Sequence, residues 1–171
     1  ITYYDSFNDN YTEGEKWTYD NWENVGTYTS ADFQSPTFNA STSCLEMWAN
    51  SISHFSSDRT MSCGYSLTSV NKLPAGTITT YLELYASFYS GRYNRTSYNF
   101  SFEYSTDGNV WHSIYTETEG PANNSTIGKY ITYDLPADAY VRYKLDIACT
   151  VRASDNNKEW LKIKFLCYGE L

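Results

Sequence analysis

Apolar and polar residues alternate along most of this chain with a period of two, the repeat of a β-strand that buries one face. From Thr77 onward, Ile78, Leu82, Leu84, Ala86 and Phe88 point one way, while Tyr81, Glu83, Tyr85, Ser87 and Tyr89 point the other. Tyr98, Phe100, Phe102 and Tyr104 alternate with Asn99, Ser101 and Glu103 in the same manner. Val141, Tyr143, Leu145, Ile147 and Cys149 share a face against Arg142, Lys144 and Asp146, and the last run sends Leu161, Ile163, Phe165 and Cys167 inward. Strands are predicted over 1–7, 17–22, 26–33, 44–49, 61–70, 77–89, 98–104, 110–116, 129–135, 140–151 and 160–168. Turn residues separate them: Asp107-Gly108 reads as a hairpin turn, as do Ser90-Gly91-Arg92 and Leu135-Pro136-Ala137. No repeat and no helical periodicity interrupts the pattern. The expectation is an all-β fold, a two-sheet antiparallel sandwich forming one domain over 1–171.

Composition strengthens this reading. The 171 residues include 18 Tyr, 8 Phe and 5 Trp among long stretches of Ser, Thr and Asn, the residues that fill strands and their exposed faces. The formal charge is −8, which repels phosphate backbones, and no basic stripe interleaves with the aromatics, so nucleic acid is not expected as a partner. No run of 18 apolar residues is present, so membrane insertion by a helix is not expected.

Six N-x-S/T triplets begin at Asn10, Asn39, Asn94, Asn99, Asn123 and Asn124, five in expected turns and Asn99 on the outward side of a strand. They are candidate glycosylation sites, which must face solvent. Cys44 and Cys63 lie 19 residues apart, Cys149 and Cys167 lie 18 apart, and neither spacing suits zinc. Each pair occupies two successive runs joined by one loop, so local disulfides Cys44–Cys63 and Cys149–Cys167 are expected, each contributing about 3 kcal/mol. The chain begins at Ile1 without an initiator Met. Together these features make a secreted, extracellular glycoprotein the expectation.

Asp5-Ser6-Phe7-Asn8-Asp9 followed by Lys16-Trp17, the hairpin Phe100-Ser101-Phe102-Glu103-Tyr104-Ser105-Thr106-Asp107-Gly108-Asn109-Val110-Trp111, the runs 130–135 and 139–144, and the closing stretch 160–170 carry a resemblance. The pattern is similar to the galactose-binding-like jelly rolls, which include MAM domains, reelin subdomains and several carbohydrate-binding modules. The resemblance implies a β-jelly-roll module and places Trp17 and Trp111 in the core. Its members often hold a structural calcium through an Asp in the closing strand; here that stretch reads Leu161-Lys162-Ile163-Lys164-Phe165, without a carboxylate. Asp5 and Asp9 alone fall short of the oxygens calcium needs, so no cofactor or metal is expected.

Catalytic signatures are missing from the chain: it contains no G-x-S-x-G, H-E-x-x-H or phosphate loop, and only His54 and His112 as histidines. Glu83, Glu103 and Asp146 fall on outward positions of separate strands, where they read as solvating carboxylates rather than a glycosidase pair. The chain is therefore expected not to be an enzyme. The candidate surface is the outward ladder Tyr81, Glu83, Tyr85 and Tyr89, joined by Trp22, Trp48 and Tyr93. Aromatic rings stack on the C–H faces of sugars while a carboxylate accepts sugar hydroxyl protons. The same ladder suits contact with another subunit. Two functions follow: a non-catalytic recognition or adhesion module that binds a glycan or glycoprotein, or a structural protomer of an extracellular filament, appendage or coat assembled from copies of itself. In the second, a terminal strand such as 1–7 completes a neighbour's sheet.

Overall fold

Among the described residues the alternating runs become eleven strands and no helix: β1 (Thr2–Asp5), β2 (Trp17–Asn24), β3 (Thr29–Asn39), β4 (Cys44–Ser53), β5 (Arg59–Ser69), β6 (Gly76–Ser87), β7 (Tyr93–Ser105), β8 (His112–Glu117), β9 (Thr126–Leu135), β10 (Tyr140–Val151) and β11 (Lys158–Tyr168). The structure is a computed structural model that describes residues 1–89, 91–153 and 156–171. The Ser90 end of the expected turn at 90–92 lies outside the described residues.

The strands form two antiparallel sheets packed as a jelly-roll sandwich. Sheet A runs β3-β4-β11-β6-β9, with β1 paired to β11, and sheet B runs β2-β5-β10-β7-β8. The inward sets read from alternation line the space between them: Leu82, Leu84, Leu161 and Ile163 from sheet A meet Phe100, Phe102, Tyr143 and Leu145 from sheet B, all fully buried. One end is closed by aromatic packing, with Trp17 against Tyr4, Phe7 and Tyr143, and Tyr143 stacked on Phe102 at 4.7 Å. β1 is paired with the chain's own closing strand (Tyr3 opposite Cys167), so the terminal strand expected as a donor is used within the chain.

Consecutive strands usually belong to opposite sheets, and this overturns several local expectations. Asp107-Gly108 does turn a hairpin between β7 and β8: Gly108 adopts φ +79°, and the Asp107 carboxylate accepts the N–H groups of Asn109 and Val110. Leu135-Pro136-Ala137, however, crosses from β9 in sheet A to β10 in sheet B and is no hairpin.

The expected disulfides are also absent: all four cysteines are free thiols in buried positions. Cys44 opens β4 in sheet A, beside Thr42, whereas Cys63 lies in sheet B near Ser51, which is seven residues further along β4. At about 3.3 Å per residue that is more than 20 Å, beyond any disulfide. Cys149 lies at the Glu159 end of β11 and Cys167 at the other, near the N-terminus, and the same distance argument separates them.

Among the register slips that reverse the alternation, those in β11 and β7 move candidate residues. In β11 the register slips between Ile163 and Phe165, so Phe165 pairs with Tyr81 and turns outward, Leu166 takes the inward place, and Cys167 joins the outer face beneath β1. In β7 the slip at Thr96 places Arg95 opposite Cys149 and Tyr93 opposite Val151, both pointing inward. Trp111, expected in the core, is only half-buried and lies under the Arg142 guanidinium, 4.0 Å from the ring centre.

Candidate functional site

The outer face of sheet A collects side chains far apart in sequence. One row across the strands reads Gln34, Trp48, Trp160, Tyr85 and Thr126; the next reads Thr37, Glu46, Lys162, Glu83 and Gly128. A third brings Phe165, Tyr81 and Tyr130 together, and a fourth aligns Tyr3, Cys167, Thr79 and Thr132. Neighbouring strands sit about 4.8 Å apart, so outward side chains within a row touch.

The rows differ in availability. In the first, Trp48 and Trp160 meet edge to face at 5.9 Å, Trp48 donates its indole N–H to Gln34, and the Lys158 ammonium lies 4.3 Å from the Trp48 ring centre. Lys162 lies 5.1 Å from the Tyr85 ring. These faces are therefore covered by lysine chains. The charged row is paired internally, Lys162 with Glu46 at 3.9 Å and Lys164 with Glu83 at 3.5 Å.

The third row, and the Tyr3 and Thr132 ends of the fourth, are more open, whereas Cys167 and Thr79 between those ends are buried. Tyr81 and Tyr130 pack with ring centres 4.5 Å apart, Phe165 lies about equally far from both, at 6.4 and 6.3 Å, and Tyr3 meets its edge at 6.4 Å. Tyr130 is 71% and Tyr3 51% exposed, a costly display of aromatic surface for a side chain with no partner. Burial and the adjacent Glu83 push the Tyr81 hydroxyl up from its ordinary pKa, so it stays protonated and donates to Glu83 at 3.0 Å. Gly128 makes room for that hydroxyl, since a Cβ there would lie 2.9 Å from it. Beside Tyr130 opens a hollow of about 370 Å³ lined by Thr79, Thr132, Glu170 and Leu171. The two threonine hydroxyls face each other at 3.2 Å. Aromatic rings, hydroxyls and a carboxylate thus converge at one end of the sheet.

Of the ladder read from sequence, Tyr81, Glu83 and Tyr85 lie together on this face, and Trp48 joins them through Trp160. Tyr89 lies past the strand end, exposed under Arg92. Trp22 stands on the opposite sheet, its indole N–H bonded to Asp146 at 2.7 Å. Tyr93 is not a surface residue: the β7 bulge turns it inward, where its hydroxyl donates to Glu159. Sequence reasoning missed Tyr3, Tyr130, Trp160 and Phe165. Trp160 was readable from the parity of Leu161, while Phe165 required the bulge.

The candidate carboxylates separate likewise. Glu83 lies on sheet A, whereas Glu103 is bound to Arg142 and Asp146 to Trp22 and Lys144 on the outer face of sheet B. At the N-terminal hollow, Asp5 receives Phe7 N–H at 2.8 Å and the Trp17 indole at 3.0 Å, with Lys16 at 3.8 Å. Asp5, one of the two carboxylates weighed for calcium, is thus already engaged by proton donors. Among the described residues no three His, Cys, Asp or Glu side chains gather in a metal-binding group.

No family model and no curated protein matches the chain. Among solved structures it is similar to the C-terminal family 22 carbohydrate-binding module of Clostridium thermocellum Xyn10B, at 14% identity over 98% of this chain and 94% of that one, with a TM-score of 0.44. It is similar to a family 11 carbohydrate-binding module from Clostridium thermocellum, seen with a β-1,3-1,4-mixed-linked tetrasaccharide, at 13% identity over 95% and 94%, TM-score 0.41. It also resembles the enzymatically active domain of tailspike protein 4 of bacteriophage CBA120, at 9% identity over 97% of this chain, TM-score 0.45; it spans only 20% of that chain. These are likenesses of β-sandwich architecture, and what this surface binds has to be argued from its own residues.

Proposed function

We propose that the chain is a non-catalytic carbohydrate-recognition module of the galactose-binding-like jelly-roll type, acting outside the cell through the outer face of sheet A. The observation that carries this reading is the cluster Tyr3, Phe165, Tyr81 and Tyr130 beside a hollow lined by Thr79, Thr132 and Glu170. Exposed rings supply flat apolar surface for the C–H faces of a sugar, and the hydroxyls and carboxylate supply directional partners for its OH groups. Lys164, held between Glu83 and the Tyr81 ring, stiffens that edge of the cluster. The partner this supports is a glycan or the glycan of a glycoprotein.

Screening the purified protein on a glycan array, followed by titration of the best binder, tests the reading. Tyr130→Ala and Tyr81→Ala are each expected to weaken binding about tenfold, the loss of one stacked ring, while Tyr89→Ala leaves it unchanged. An array without any bound glycan, or affinity indifferent to both substitutions, refutes it.

A further inference from the structure

The outer face of sheet B has a different character. One row reads Trp22, Gly64, Asp146 and Asn99 from β2 to β7. Trp22 lies flat across Gly64, where a Cβ would come within 2.6 Å of the indole, and its N–H reaches Asp146 on the next strand. The ring therefore spans the sheet and stops one strand short of Asn99. Asn99 is exposed in the middle of the face, flanked by Ser97 and Ser101 on its own strand and by Ala148 diagonally across. Beside Ala148 a depression of about 380 Å³ opens over Thr60, Ser62 and Thr96. Short side chains thus leave a low floor between Asn99 and the tryptophan.

We propose that Asn99 carries an N-linked glycan whose first N-acetylglucosamine units lie on this floor against Trp22 and cover sheet B. In the transfer, Asn99 Nδ2 bonds to the anomeric carbon of a polyprenyl-diphosphate-linked oligosaccharide. The anomeric C–O bond to the diphosphate breaks, the lipid diphosphate departs, and Nδ2 loses one proton. Ser101, the hydroxyl residue of the triplet, is buried and bonded to Glu103 in the folded chain, so transfer precedes closure of the sandwich. The attached sugar then leaves perpendicular to β7, which at Asn99 is paired with β10 alone because the β8 register begins at Phe100, and it folds back over β10 towards Trp22. The indole edge meets the N-acetyl methyl and the sugar C–H face, while Asp146 and Ser97 are within reach of its hydroxyls. Asn94 also faces outward on β7, whereas β1, β6, β9 and β11, which carry the aromatic cluster, hold no triplet asparagine. The strands of the aromatic cluster are thereby bare, sheet A's one strand triplet being Asn39 at the end of the edge strand β3. This inference does not depend on sheet A binding sugar.

The test uses the protein secreted from an N-glycosylating host, with Asn99→Gln to assign the glycopeptide. Mass spectrometry is expected to find Asn99 occupied. Native endoglycosidase digestion is expected to release its glycan about tenfold or more slowly than those at Asn10 or Asn94, because the sugar must first lift off the sheet. Trp22→Phe should partly, and Trp22→Ala largely, remove that protection at unchanged occupancy. An unoccupied Asn99, whether or not other triplets are used, overturns the proposal; so does release at the same rate as the exposed sites in the unsubstituted protein.

Discussion

Arg95→Ala tests how one end of the sandwich is held together. Glu159 projects inward from β11 and is fully buried. Its carboxylate receives Arg95 Nε and Nη2, each at 2.8 Å, and the Tyr93 hydroxyl at 3.0 Å. Arg95 is held in turn between the Phe88 and Tyr98 rings, with centroids at 5.4 and 4.7 Å, and donates Nη1 to the Glu119 carbonyl. Removing the guanidinium leaves a buried carboxylate with a single donor. Breaking a buried pair from one side costs about 3–5 kcal/mol. A second route gives a similar size: keeping that carboxyl neutral at pH 7, against an unfolded pKa of about 4.3 and about 1.4 kcal/mol per unit, costs roughly 3.7 kcal/mol. For a chain of this length the melting temperature should fall by roughly 6–20 °C.

The pH dependence identifies the cause. Burial raises the Glu159 carboxyl above its ordinary pKa, opposed by Arg95 and Tyr93. Without Arg95 the rise is larger, so the penalty grows as pH climbs through the ordinary carboxylate range towards the raised folded value, and fades below it. Paired thermal melts at pH 4.5 and pH 7.5 should show a small deficit at the first and the full deficit at the second. Replacing both partners, as Arg95→Met with Glu159→Leu, should recover most of the loss. A deficit below about 1 kcal/mol, or one that is the same at both pH values, would refute the reasoning.

Other outcomes follow from single features. Gly64→Ala sets a Cβ 2.3 Å from the Leu145 carbonyl oxygen and 2.6 Å from Trp22, so chemical denaturation should show a loss of about 2–4 kcal/mol; a loss under 0.5 would mean the sheet yields there. All four thiols are free and buried, and burial pushes Cys63 up to about 12 and Cys149 to about 11. A thiol reagent should therefore label none of them quickly in the native protein and all of them after unfolding without reductant. Backbone N–H groups hold the Asp107 carboxyl below its ordinary range, so its contribution to stability is present above that range and lost as pH falls through it. The stability difference between the protein and Asp107→Asn should accordingly shrink on acidification; a difference constant from pH 7 to pH 3 would count against the turn.

The β7 and β11 strands show how far local pattern carries. In β7, Tyr98, Phe100 and Phe102 alternate strictly and are buried as expected, yet two residues before Tyr98 the extra residue at Thr96 sends Arg95 and Tyr93 inward, a reversal no local spacing announces. In β11 the alternation correctly buries Leu161 and Ile163, and then the register slip before Phe165 delivers that ring to the surface cluster. Tyr81, Glu83 and Tyr85 were legible as one outward ladder because they share a strand. Tyr130 and Tyr3 were not, because their place beside Tyr81 and Phe165 depends on which strands pair.

The amino-acid sequence alone determined the all-β character, the eleven strands, the faces of most of them, and the Asp107-Gly108 hairpin, because period-two burial and turn chemistry act over a few residues. Only the tertiary structure decided that most consecutive strands change sheet, which separates Cys44 from Cys63 and Cys149 from Cys167. It also decided where bulges reverse a face and which four strands bring Tyr3, Phe165, Tyr81 and Tyr130 together. Strand order is settled by packing two whole sheets over one core, a sum over distant contacts that no window of the chain contains.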